Sequence, residues 1–312
     1  MIAVLATTSV LFFTIFLGFC FGKTRIFSAG SDLTLIHYVF YIALPIQLFL
    51  SCYHSRINIF NVNYIGAYFL AMLLIIALTY AISRKMLKLP RSHAILNTMA
   101  SSQVDGAYFT IPLFLLVFSS AAFAIPLMAI QNIVFFTLSI LFIEMSIAGS
   151  RQRPGLGFII KRVVKVLTTN PIIVSSLLGF IIGSLKIDIH EQILSILNFI
   201  AKTAAPMALF SLGLTCAFGL SSLKVKREKW LILGLSTLKL LIFPLIALII
   251  GWLLGLSKEL LLALVLLTAS PTATHNYIIA NQYQLEEKTQ TFVVIVTTLL
   301  SFITINLWLY FI

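Results

Sequence analysis

The chain has 312 residues, 60% of them hydrophobic and 10% charged, with a mean hydropathy of +1.08. A soluble domain carries about 25% charged residues, so this composition excludes an ordinary soluble fold and points to a polytopic membrane protein. The formal net charge of +12 does not gather in one basic domain, which argues against a nucleic-acid partner. The basic residues instead stand between apolar runs, as the positive-inside rule expects.

A helix needs about 20 apolar residues to cross the hydrocarbon core, and the apolar runs give ten candidate spans. The first, 2–21, is followed rather than preceded by Lys23 and Arg25. That is the wrong polarity for a cleaved signal peptide, and it predicts a membrane helix whose amino end faces outward. Four more spans follow at 33–53, 62–82, 92–118 and 121–147. A short linker, 148–166, leads to the last five at 167–185, 191–219, 230–254, 259–283 and 289–311.

The loop charges test this count. The odd-numbered loops hold sixteen basic residues: Lys23, Arg25, Arg84, Lys85, Lys88, Arg91, Arg151, Arg153, Lys161, Arg162, Lys165, Lys224, Lys226, Arg227, Lys229 and Lys288. The even-numbered loops hold three, Arg56, Lys186 and Lys258. A miscounted helix would scramble this asymmetry, so the odd loops are expected to be cytoplasmic. Both termini then lie on the non-cytoplasmic side of a plasma or inner membrane.

The two halves of the chain also resemble each other. "LGFCFG" at 17–22 returns as "LGFIIG" at 178–183, and "ALPIQLF" at 43–49 returns as "AAPMALF" at 204–210, both at an offset of 161 residues. The expected fold is all-α, with ten transmembrane helices as two five-helix repeats, 1–147 and 167–312. Five is odd, so the copies must be inverted, an arrangement typical of secondary transporters. The pairs Gly18/Gly22, Gly179/Gly183 and Gly251/Gly255 read as small-residue helix-packing motifs. Cys20, Cys52 and Cys216 stand singly in apolar segments, without ligand or disulfide spacing, and read as packing residues.

The fourth and ninth spans are interrupted. "NTMASSQVDGAYFTIPLF" (97–114) and "TASPTATHNYIIANQY" (268–283) occupy equivalent positions in the two halves, and both are polar at mid-depth with a proline. Freed backbone groups are tolerated in a bilayer only where protein or a water-filled cavity satisfies them. Paired interruptions therefore point to a binding site, and half-helix amino ends suit an anion there. Prolines alone commonly kink membrane helices. That reading does not explain why Ser102, Gln103, Asp105, Thr274, His275 and Asn276 cluster at the breaks; Ser270, Pro271 and Thr272 join them as candidate crossover and contact residues. Asp105 and Lys239 lie near mid-membrane; they are candidates for a buried ion pair or for a coupling role, with Asp105 as acid and Lys239 as counter-ion. Lys202, beside Pro206, and Gln131 and Asn132 in the fifth span are weaker candidates.

The pattern of ten spans together with "ALPIQLF", "NPIIVSSLLGFIIG", "TAAPMALFSLGL" and "SPTATHNYIIANQY" resembles the auxin efflux carrier family of membrane transporters, over essentially the whole chain. The resemblance implies a scaffold of helices 1, 2, 6 and 7, often a homodimer. It implies a core in which helices 4 and 9 cross near Pro112 and Pro271, and elevator-type transport of a small organic anion. The family's fourth-helix motif, Asn-x-Gly-Phe-x-Gly-x-Pro, ends here on Pro112. Asp105 then stands at the asparagine, Ala107 and Thr110 at the glycines and Tyr108 at the aromatic, which adds Tyr108 and Pro112 to the candidate contacts. No cofactor or metal is expected beyond proton or sodium coupling. A sodium symporter or cation/proton antiporter on the same fold is the rival reading, favoured by Asp105. An intramembrane enzyme is disfavoured because the chain has no HExxH, GxSxG, Walker A run or paired hydrolase acids.

Overall fold

A computed structural model describes residues 2–24, 26–28, 30–53, 61–148, 157, 171–220, 229–285 and 287–312. Most of the 148–166 linker lies outside the described residues, as do Arg25, Arg56, Lys224, Lys226 and Arg227. Apart from one isolated bridge, all regular structure among the described residues is helical.

In chain order, α1 is Ile2–Gly22, and α2 (Ser31–Tyr38) runs through a π-turn into α3 (Leu44–Tyr53). Then come α4 (Val62–Ala81), α5 (Arg91–Ser102) and α6 (Ile111–Phe118), the last preceded by the π-turn Gly106–Thr110. Next, α7 (Ala124–Ile130) passes through Gln131–Phe136 into α8 (Thr137–Ala148). The second half holds α9 (Pro171–Ser184), α10 (Glu191–Ala201), α11 (Ala204–Leu220) and α12 (Lys229–Thr237), which continues through Leu238–Ile242 into α13 (Phe243–Leu253). It ends with α14 (Lys258–Ala269), α15 (His275–Gln282) and α16 (Glu287–Phe311). Among the described residues, six helical runs are long and apolar enough to cross a membrane: Ser31–Leu50, Val62–Met86, Ala124–Ile147, Glu191–Phe218, Lys229–Leu253 and Thr289–Phe311.

Helix starts follow capping chemistry. The Asn61 side chain accepts the Tyr64 N–H at the head of α4, and the Ser257 hydroxyl accepts the Leu260 N–H at the head of α14; such caps satisfy donors that have no helical partner. The first residues of α4 and α12, Val62 and Lys229, are 167 apart, as are those of α5 and α14, Arg91 and Lys258. Helices α5 and α14 are both 12 residues long.

The chain forms two compact units that do not follow the halves of the sequence. One comprises Met1–Ile59, Gly106–Pro126 and Val164–Ser222; the other comprises Phe60–Asp105, Leu127–Val163 and Leu223–Ile312. In the first, glycines let backbones touch. A Cβ on Gly18 would lie 2.1 Å from Phe210 O, and one on Gly179 would lie 2.3 Å from Phe49 O. Gly22 similarly faces Ala217 and Leu214, and Gly183 faces Tyr53 O at 2.6 Å. Gly251 packs in the same manner against Leu261 in the second unit, but Gly255 does not. It has φ +66° with open space around it, and the bonds from Gly255 N–H to Trp252 O and from Leu256 N–H to Gly251 O close α13. Gly255 is thus a left-handed helix stop, a position glycine adopts without steric cost, rather than the packing residue its spacing suggests.

Candidate functional site

The second unit holds both helix breaks. Helix α5 stops at Ser102, where Gln103 is extended (φ −81°, ψ 135°); α14 stops at Ala269, where Ser270 is extended (φ −62°, ψ 150°). The two extended segments cross antiparallel, with Val104 bridged to Thr272. Asp105 N–H donates to Pro271 O at 2.9 Å and Ala273 N–H donates to Gln103 O at 3.2 Å. Each broken helix therefore satisfies part of the other's freed backbone, as a lipid environment demands.

Side chains complete the pairing. Val104 N–H donates to Gln131 Oε1 at 2.8 Å, and Gln131 Nε2 donates to Val104 O at 3.0 Å. The carboxamide imitates a neighbouring strand, and the Tyr68 hydroxyl donates to the same Oε1 at 3.2 Å. Thr272 N–H donates to Thr297 Oγ1 at 3.1 Å, while Thr272 Oγ1 donates to Ala100 O at 2.7 Å. Behind the crossing, Asn276 Nδ2 donates to Gln290 Oε1 at 2.7 Å and Gln290 Nε2 donates to Asn97 Oδ1 at 3.0 Å.

The candidate residues fall into distinct environments. Ser102 Oγ donates to Thr98 O at 2.6 Å and Ser270 Oγ donates to Leu266 O at 3.0 Å, so both hydroxyl protons are turned back onto their own helices. Thr272 is committed to the crossing, and Thr274 and Asp105 are buried. His275 joins its Nε2 to Gln103 Oε1 and stands edge-on to Phe136, with ring centroids 4.7 Å apart. Since Gln103 Oε1 can only accept, the imidazole is the Nε2–H tautomer, and the amide nitrogen of Gln103 points elsewhere. Gln103 Nε2 and Asn276 Oδ1 are buried and find no hydrogen-bond partner among the described residues. An unsatisfied buried polar group costs about 1–3 kcal/mol, so this donor, on the residue bonded to His275, and this acceptor, on the residue after it, are available to a ligand.

Lys239 Nζ donates to the backbone carbonyl of Thr268 at 2.8 Å. Pro271 lies in the crossing, whereas Pro112 sits in the first turn of α6, in the other unit. The extended backbone that makes the crossing is at Gln103–Asp105, well before Pro112. Tyr108 falls in the π-turn Gly106–Thr110, with its side chain outside the described residues. Lys202 is an exposed residue at the break between α10 and α11, in the first unit, and Asn132 is half-buried.

The membrane transport protein family, to which the auxin efflux carriers belong, matches residues 3–309. The chain belongs to that family. A protein of Rhizobium meliloti (strain 1021), named "Putative malonate transporter", is 28% identical over 165 residues. That match covers 53% of this chain and 50% of the relative, so the chain spans about half the length of the curated protein it matches. The family is one of membrane transporters and not of enzymes.

Sequence reasoning missed four residues that hold the crossing and the amide ladder behind it: Tyr68, Asn97, Gln290 and Thr297. Asn97 carried a readable signal, as an amide following the apolar Ala94–Leu96, whereas Gln290 stands in the polar run that opens the tenth span. Thr297 carried none.

Proposed function

We propose that the chain is a secondary-active or facilitative carrier of a small organic anion, with its site at the crossing of Gln103–Asp105 and Pro271–Ala273. The observation that carries this reading is the crossing itself, an antiparallel meeting of two unwound segments with the donor Gln103 Nε2 and the acceptor Asn276 Oδ1 left over. A neutral donor beside the amino end of α15 suits a carboxylate. The leftover acceptor suits a second, protonated carboxyl group. The name of the Rhizobium meliloti relative favours a dicarboxylate such as malonate. Ser102, Ser270, Pro271, Thr272, Thr274 and His275 shape the site, and Asp105 is its coupling acid.

In this reading the chain has ten spans in two inverted five-helix repeats, with both termini on the non-cytoplasmic side. The glycine contacts support it. Under the 161-residue offset Gly18 becomes Gly179 and Phe49 becomes Phe210, so the Gly18–Phe210 and Gly179–Phe49 contacts exchange, as a pseudo-two-fold axis requires. Helices 1, 2, 6 and 7 form a dimerising scaffold, and the crossing belongs to an elevator-type core. The buried carboxyl of Asp105 favours one second reading, a cation/proton antiporter or sodium symporter.

Currents recorded from proteoliposomes on a solid-supported membrane decide between them, with malonate, succinate and acetate applied under proton or sodium gradients. The carrier reading expects a malonate current that responds to pH in the wild type and loses that response in Asp105→Asn. Losing a partner of about 1–3 kcal/mol makes Asn276→Ala about 5- to 150-fold weaker for malonate. Currents driven by sodium or protons without an organic acid would overturn the reading in favour of the antiporter.

A further inference from the structure

In transporters with broken helices, unwound carbonyls and half-helix carboxyl ends hold the coupling cation. At the end of α14 that place is filled by the chain itself. In an unbroken helix Thr268 O would accept from the N–H of Thr272, but here that N–H is held by Thr297 Oγ1. The orphaned carbonyl takes Lys239 Nζ at 2.8 Å. Lys239 is fully buried, projects from the π-turn Leu238–Ile242, and sets its Nζ 4.9 Å from the centroid of the Phe243 ring. A carbonyl at a helix carboxyl end and an aromatic face are both contacts that a cation makes.

The equivalent end of α5 is built differently. Under the 167-residue offset Thr268 corresponds to Ser101, and the carbonyl next to it, Ala100 O, is taken by the neutral Thr272 hydroxyl. The residue 167 positions before Lys239 is Met72, apolar and buried. The cation therefore belongs to one half of the crossing only.

We infer that Lys239 is a tethered cation that occupies the position of a coupling ion at the carbonyl end of α14, so that the carrier needs no sodium there. The inference concerns the driving ion. Its readout is stability rather than anion transport, so its failure would leave the proposed anion site standing.

The test is thermal unfolding of the purified full chain in detergent, in sodium, potassium, methylammonium or N-methyl-D-glucamine chloride at equal ionic strength. Wild type is expected to melt at one temperature in all four. Lys239→Ala should melt several degrees lower and recover part of the loss in sodium or methylammonium chloride, which can enter the vacated space. Lys239→Met fills that space without a charge, so it should be destabilised and respond to neither. Sodium-specific stabilisation of the wild type would overturn the inference, because the site would then still be open. So would a Lys239→Met as stable as wild type, or a Lys239→Ala indifferent to every cation, since those are the results of mere space filling. Should Lys239→Ala fail to fold, the wild type and Lys239→Met arms still decide.

Discussion

At the scale of single residues, the crossing depends on side chains that stand in for backbone. Gln131 serves both main-chain groups of Val104. Gln131→Leu keeps the volume but orphans two buried donors, Val104 N–H and the Tyr68 hydroxyl, and one buried acceptor, Val104 O, at about 1–3 kcal/mol each, an expected loss of about 3–9 kcal/mol in a denaturant titration. A Gln131→Leu within a few tenths of a kcal/mol of wild type would show that the clamp does not hold the crossing. The serines behave oppositely. Ser102 and Ser270 direct their protons to carbonyls of their own helices, a local bond of little net value. Ser102→Ala and Ser270→Ala are expected to change malonate transport less than about threefold, where Asn276→Ala changes it by the larger factor that a lost buried partner implies. Equal losses in all three would mean that the serine oxygens also touch the substrate. The breaks were legible because polar runs around proline are costly in hydrocarbon. The clamps were not. Thr297 bonds to Val293 O as Thr298 does to Val294 O, and only the arrival of Thr272 N–H from another element distinguishes them.

At the scale of elements, the packing glycines sort by what surrounds them. A Cβ at Gly18 or Gly179 would stand 2.1 or 2.3 Å from a backbone oxygen that cannot swing away. Either alanine must then push a helix off its partner, an overpacking cost of about 1–3 kcal/mol. Because the two contacts exchange under one offset, Gly18→Ala and Gly179→Ala are expected to lose similar stability in thermal melts. Gly66, inside α4 with no atom within 4 Å of its would-be Cβ, is the control. There alanine should be neutral or stabilise by up to about 1 kcal/mol. A destabilised Gly66→Ala, or a harmless Gly18→Ala, would contradict this assignment. Spacing identified all these glycines as a class. It could not separate Gly255, whose positive φ serves a turn, because a pair four apart looks the same in sequence whether it packs a helix or ends one.

At the scale of the whole molecule, the number of crossings fixes which surface each loop meets. Among the described residues six runs are long and apolar enough to span by themselves; the interrupted stretches α5–α6 and α14–α15 are not single long helices, and the proposed ten-span reading has each cross once. Lys85, after α4, and Lys258, at the start of α14, are both exposed. Between them lie the fourth to eighth spans of the ten-span reading. Five crossings put the two lysines on opposite faces; if the broken fourth span turned back without crossing, four would put them on the same face. The three cysteines are unbridged, with Cys52 and Cys216 buried and Cys20 half-buried, so a cysteine-free background requires only three replacements. On that background Lys258→Cys is expected to react with a membrane-impermeant maleimide in intact cells. Lys85→Cys should react only after permeabilisation. Labelling of both from one side would remove a crossing, and with it the odd number of helices per repeat that makes the two halves inverted.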